Sequence, residues 1–117
     1  MLMKKTGPTN PALKKLIQEL KEASRKNRAG IWRAVADELE KPTRRRREVN
    51  IMHINTCTKP NDTIIVPGKV LGTGEMDHKV RVAAWQFSAS ARQKVTPLPI
   101  PQLIKENPKG KDVRIIG

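Results

Sequence analysis

Four consecutive arginines, Arg44 to Arg47, are the densest chemistry in the chain. Side by side they repel one another. A guanidinium fork matches a phosphate bidentately in a way that an ammonium does not. Pro42 stands just before the run and a helix is expected after it, which places the arginines on an anchored loop. The pattern points to phosphate contact. A solvated charge run and a nuclear address are the plainer alternatives.

Other residue types could do chemistry but lack partners. His53 and Cys57 are four apart and could share a helical face as half of a zinc site. A structural site needs about four ligands, and the chain holds only one further histidine, His78, and no second cysteine. Gly68-Lys69 invites a phosphate-loop reading. The motif would need glycine at position 63 and a hydroxyl at position 70, where Thr63 and Val70 stand. Gly72-Thr73-Gly74 is only a fragment of a dinucleotide fingerprint. Cys57, His53 or His78, and Asp62 are types that could form a nucleophile, base and orienting acid, but nothing in the sequence aims them at one pocket. No metal, cofactor or small-molecule substrate is expected, and no enzymatic activity.

The elements that must position these residues follow from local signals. Asn10-Pro11 reads as a helix start, with Asn10 as the cap. Leu13, Leu16, Ile17, Leu20 and Ala23 then recur at helical spacing, leaving Lys14, Lys15, Lys21 and Arg25 outside the apolar stripe. Gly30 is expected in a short joint. A second helix carries Trp32, Val35, Ala36 and Leu39 on one face and stops at Lys41-Pro42. Asn50 is placed to cap a short helix to about Cys57, with Ile51 and Ile54 inward. Thr63 to Val66 reads as a strand, Pro67-Gly68 as a type II turn, and Lys69 to Leu71 as a short extended piece. Gly72-Thr73-Gly74 is a turn. Lys79 to Phe87 is the best strand signal: Val80, Val82 and Ala84 share one face, Ala83, Trp85 and Phe87 the other, so the strand is buried on both sides. Ser88 is expected to cap a helix to about Val95. The prolines from Thr96 to Pro101 force an extended connection. Pro101 opens a helix with Leu103 and Ile104, Asn107 to Gly110 ends it, and Val113, Ile115 and Ile116 form a last strand. Two helices in tandem also suggest a helix-turn-helix, but Asp37, Glu38 and Glu40 on the second would oppose DNA phosphate, which makes the pair a scaffold.

Composition bounds the partners. The chain has 117 residues, room for one domain, with net charge +13. Residues 1–47 carry 14 of 24 basic and 5 of 11 acidic side chains, or +9, which leaves +4 for the remainder. Such charge on a small body seeks a polyanion. The longest pure apolar run is Val82 to Trp85, far short of a membrane span, so no membrane is expected. No apolar segment follows the charged start, so no secretory signal is expected. A single cysteine fits a reducing compartment, and a cytoplasmic location is expected. With two tryptophans, one phenylalanine and no tyrosine, the chain has little aromatic surface for gripping single-stranded bases. If RNA is that polyanion, the chain should bind it folded, through phosphate, sugar and shape. Arg44, Arg45, Arg46 and Arg47 with Lys4, Lys5, Lys14, Lys15, Lys41 and Lys69 are the expected RNA-binding residues.

An ordered series of stretches carries a resemblance. Thr9-Asn10-Pro11 opens it, followed by Ile31 to Ala36, Leu39-Glu40-Lys41-Pro42 and Arg47-Glu48-Val49-Asn50. The most distinctive stretch is Ile65-Val66-Pro67-Gly68-Lys69-Val70-Leu71-Gly72-Thr73-Gly74. Lys79 to Ala84, Phe87-Ser88, Asn107 to Gly110 and Val113-Arg114-Ile115 complete it. Across roughly residues 9–116 the chain resembles the archaeal and eukaryotic ribosomal large-subunit family numbered eighteen-e, a relative of bacterial large-subunit protein fifteen, and its length suits the archaeal branch. The resemblance implies an α/β fold with N-terminal helices and then a small irregular sheet among short helices. It implies binding to large-subunit ribosomal RNA, neighbouring ribosomal proteins as partners, and support of subunit assembly without catalysis. A flexible basic arm over residues 1–8 and a single domain over 9–117 are expected. The rival reading is a free-standing nucleic-acid chaperone, which would sediment apart from ribosomal subunits; a second is an RNA-modifying enzyme, which would need a cofactor or metal pocket.

Overall fold

The computed structural model describes residues 10–41 and 47–116, with the side chain of Arg47 outside that description. In chain order the elements are α1 (Pro11–Asn27), α2 (Gly30–Leu39), β1 (Arg47–Asn50), α3 (Ile51–Cys57), β2 (Thr63–Leu71), β3 (Arg81–Phe87), α4 (Ala89–Lys94), β4 (Thr96–Leu98), α5 (Ile100–Glu106) and β5 (Val113–Ile115).

Local chemistry sets the helix ends. Asn10 Oδ1 accepts from the backbone N–H groups of Ala12 and Leu13 at 2.8 and 3.3 Å, meeting two donors that have no partner within the helix. Ser88 Oγ does the same for Ala91 at 3.2 Å. Gly30 is the first residue of α2 and not part of the joint, which is reduced to Arg28 and Ala29. Asn50 holds the cap position of α3 without a side-chain hydrogen bond.

All strand pairs among the described residues are parallel, in the order β1-β2-β3-β4. The outer edge of β2 is shared: β5 lies along Thr63 to Ile65 and β1 along Gly68 to Leu71. Pro67-Gly68 is therefore not a turn. Neither residue has the positive φ that a type II turn requires at its third position. The pair forms an irregularity within one continuous strand, where the ladder to β3 jumps between Val66 and Lys69. Proline, with no N–H to give, belongs at such a break when a strand is central.

The alternation of β2 and β3 feeds two cores. Ile65 and Ala83 face α1, α2 and α5, packing with Leu13, Leu20, Trp32, Leu39 and Leu103. Ile64, Val66, Val82 and Ala84 face the other way, against Ile51 and Ile54 of α3 and Ala91 of α4. A sheet covered on both faces is why these strands read as unbroken apolar runs. Each fully buried Leu or Ile contributes about 1.5–3 kcal/mol of transfer free energy. Phe87 departs from the expected alternation: it packs with the α3 side and not with Ala83 and Trp85. The expected connection at Thr96 to Leu98 is a strand, β4, paired to β3.

The Gly72 to Gly74 turn is tied on both sides. Gly74 has φ +103°, and a Cβ there would stand 2.5 Å from Met52 Cβ. At Gly72 a Cβ would strike Ser90. Lys94 Nζ donates to the carbonyls of both glycines, at 2.8 and 2.6 Å.

Candidate nucleic-acid interface

The α1–α2 pair carries the described part of the basic footprint, and the apolar stripe decides what it presents. With Leu13, Leu16, Ile17, Leu20 and Ala23 buried, Lys14, Lys15 and Arg25 stand exposed. None of Lys14, Lys15, Arg25, Lys26 and Arg28 has an acidic partner among the described residues. Acids of α2 and its C-terminus are instead paired locally. Lys21 meets Glu40 at 2.8 Å, Arg33 meets Asp37 at 3.1 Å, and Lys41 meets Glu38 at 2.8 Å. Exposed pairs of this kind contribute under about 1 kcal/mol each. Their main effect is to neutralise the acids that would otherwise oppose a polyanion. Trp32 is fully buried and its Nε1 donates to Pro108 O at 2.7 Å, which makes the helix pair a scaffold and not a groove reader.

The expected contact residues divide into three groups. Lys14 and Lys15 are exposed and, among the described residues, unpaired. Lys41 is half-buried and paired with Glu38. Lys69 is half-buried on β2, in register with Glu48 of β1 and Gln86 of β3. Lys4, Lys5, Arg44, Arg45 and Arg46, the side chain of Arg47 and the expected arm over 1–8 lie outside the described residues. The backbone of Arg47 begins β1.

A basic corner at the α1–α2 joint is absent from the sequence reading. Arg28 caps α1 in the left-handed region, at φ 53°, where glycine is usual. Lys109 Nζ reaches across and donates to Asn27 O at 3.0 Å, although the residues lie 82 apart. Basic residues in a last helical turn also stabilise the helix dipole, so the sequence alone carries no distinguishing signal for them.

Of the residues weighed for a catalytic relay, His78 alone has that connectivity among the described residues, and with partners other than Cys57 and Asp62. His78 meets Asp77 Oδ1 at 2.6 Å and Thr58 Oγ1 at 2.8 Å. Thr58 donates its proton to Ile54 O at 2.7 Å and so faces His78 as an acceptor, with no proton to surrender to it. Thr58 is also buried. The trio is a tie between α3 and the loop before β3, reinforced by Asn55, whose Oδ1 accepts from Asp77 N–H at 3.0 Å. Hydrogen bonds from His78 and then Asn55 hold the Asp77 carboxyl below its ordinary range. Cys57 Sγ lies 3.6 Å from His53 Nε2, a contact within one helix. No group of three or more metal-ligating side chains occurs among the described residues. No helix among them is long and apolar enough to cross a membrane.

Comparison with known proteins decides the kinship. Residues 12–97 match the family model described as ribosomal proteins 50S-L15 and 50S-L18e together with the 60S protein numbered twenty-seven-A. The chain belongs to this family. Its matched segment runs from α1 into β4 and holds most of both cores; Ile100 and Leu103 of α5 and Ile116 lie beyond it. Large ribosomal subunit protein eL18 of Methanoregula boonei is 50% identical over 113 residues, covering 92% of this chain and 93% of that protein. The protein of the same name from Methanothermobacter thermautotrophicus is 43% identical, covering 98% and 99%. That from Methanopyrus kandleri is 44% identical, covering 95% of each. The family membership and the α/β fold expected from the ordered motifs both hold.

Proposed function

We propose that this protein is a structural constituent of the large ribosomal subunit in the cytoplasm. It binds ribosomal RNA mainly through phosphate and shape contacts, sits among neighbouring ribosomal proteins and supports subunit assembly. The observation that carries this reading is likeness along nearly the whole chain to archaeal proteins named as large-subunit proteins.

The charge geometry supports it. Five ion pairs bind acids to cations among the described residues, yet Lys14, Lys15, Arg25, Lys26 and Arg28 stay uncommitted there. In this reading they act with Arg44 to Arg47, Lys41, Lys69, and Lys4 and Lys5 of a basic arm over residues 1–8 that precedes the domain of 9–117. The two-core fold fixes the spacing of the cations on α1 and β2, and each phosphate neutralised releases counterions. The role is one of bracing and not of catalysis.

Purified protein mixed with large-subunit ribosomal RNA and excess transfer RNA tests the reading. A saturable complex that survives the competitor is expected. Displacement by transfer RNA as readily as by ribosomal RNA would favour the free-standing chaperone.

A further inference from the structure

We propose that the groove between α1 and the start of α5 is a nucleobase slot, in which one unpaired base of RNA stacks on Trp85. The inference rests on the RNA-binding reading above and adds a base contact to a protein otherwise held by phosphates.

The two tryptophans stand in opposite situations. Trp32 is fully buried and its indole N–H is bonded. Trp85 is partly exposed, and its indole N–H has no hydrogen-bond partner among the described residues. It lines a groove of about 290 Å³ together with Leu16 and the proline-flanked Ile100, with Lys15 and Glu19 of α1 on the same groove. Leu16 and Ile100 are themselves buried, so they offer a firm apolar floor. A tryptophan held this way usually finds a partner for its polar end.

The lining fits a base better than a bare phosphate. An aromatic face accepts any base that has left its helix. Lys15, with Lys14 beside it, has no acidic partner among the described residues and supplies charge for the flanking phosphate. Glu19 would repel a phosphate lodged in the groove but accepts from an exocyclic amino group, as carboxylates do from cytosine. The slot therefore favours a base with such a group. Phe87, the only other aromatic outside the core, is covered by Arg92, whose guanidinium carbon lies 5.5 Å from the ring centroid.

The test uses the full chain and large-subunit ribosomal RNA, with Trp85→Ala and Trp85→Phe beside the wild type. Saturating RNA should quench the Trp85 emission, a signal that Trp85→Phe lacks. Trp85→Ala should weaken binding by about 5- to 150-fold with an unchanged salt slope, while Trp85→Phe keeps most of the affinity. Unchanged emission of the wild type on saturation overturns the proposal, even should Trp85→Ala fail to fold. So does equal affinity of both variants and the wild type. A wild-type chain that binds no RNA at all removes the ribosomal reading and this one together; the former outcomes remove only the slot.

Discussion

Trp32 Nε1 donates to Pro108 O at 2.7 Å, joining residues 76 apart in the chain. One hydrogen bond thus fastens the C-terminal loop to the helix pair, beside the bond from Lys109 to Asn27 O. Trp32→Ala should destabilise the fold by about 3–5 kcal/mol, the range for a fully buried large aromatic. Trp32→Phe keeps much of the volume but removes the bond to Pro108 O, at about 0.5–1.5 kcal/mol since Pro108 is exposed. Denaturant unfolding of both variants measures the two contributions separately.

The turn glycines differ from the helix glycine in what a methyl group would meet. Gly74→Ala should cost about 1–3 kcal/mol, because φ +103° is strained for alanine and its Cβ would also press on Met52. Gly30→Ala meets nothing within 4 Å and sits at the start of a helix. It should be neutral or stabilising by up to about 1 kcal/mol. Thermal melts of the two variants check the contrast.

Two carboxylates predict the acid limb of stability. Hydrogen bonds from His78 and Asn55 lower the Asp77 pKa from its ordinary 3.8, and Arg81 with Gln102 lowers that of Glu106 from 4.5. A group whose folded pKa is depressed contributes stability that is present above the unfolded value. That stability is lost as pH falls through the folded value. Asp77→Asn and Glu106→Gln should each flatten the fall in unfolding free energy below the ordinary carboxylate range and leave its slope near neutrality unchanged. Denaturation followed across acid pH reads both effects.

The salt dependence of RNA binding separates uncommitted cations from paired ones. Replacing Arg44 to Arg47 with Ser should lower the slope of log affinity against log salt by about 0.7–0.9 per lost phosphate contact. The double variant Lys14→Ser with Lys15→Ser should lower it further than Lys41→Ser, since Lys41 already answers Glu38 at 2.8 Å. Filter binding over a salt series measures the slopes; an unchanged slope removes the residues concerned from the interface.

What is legible in the sequence is local. Asn10-Pro11 and Ser88 announce their helices because a cap is chosen within three residues of itself. The five-residue stripe of α1 announces its core face by period alone. β1 and β4 escape a sequence reading because Arg47-Glu48-Val49-Asn50 and Thr96-Pro97-Leu98 lack the clustered β-branched residues that announce the equally short β5. Their existence depends on partners 21 and 15 positions away, as Arg47 with Gly68 and Thr96 with Arg81 show. Pro67-Gly68 misleads because those residue types favour a turn in isolation, whereas here the strand runs on through them, with Gly68 in register with Arg47 of β1 and the ladder to β3 resuming at Lys69. For the same reason the sequence names His78 but not its partners: Thr58, 20 residues away, meets it only once α3 packs on the sheet. The cations of the α1–α2 joint are hidden by an ambiguity of chemistry, because basic residues there serve the helix as well as any partner.

The most direct measurement is sedimentation of cell lysate through a sucrose gradient at moderate salt, with the protein followed across the fractions. The account predicts that it travels with the large subunit and leaves it only as salt is raised. A protein that stays at the top of the gradient while intact large subunits run below would contradict the account.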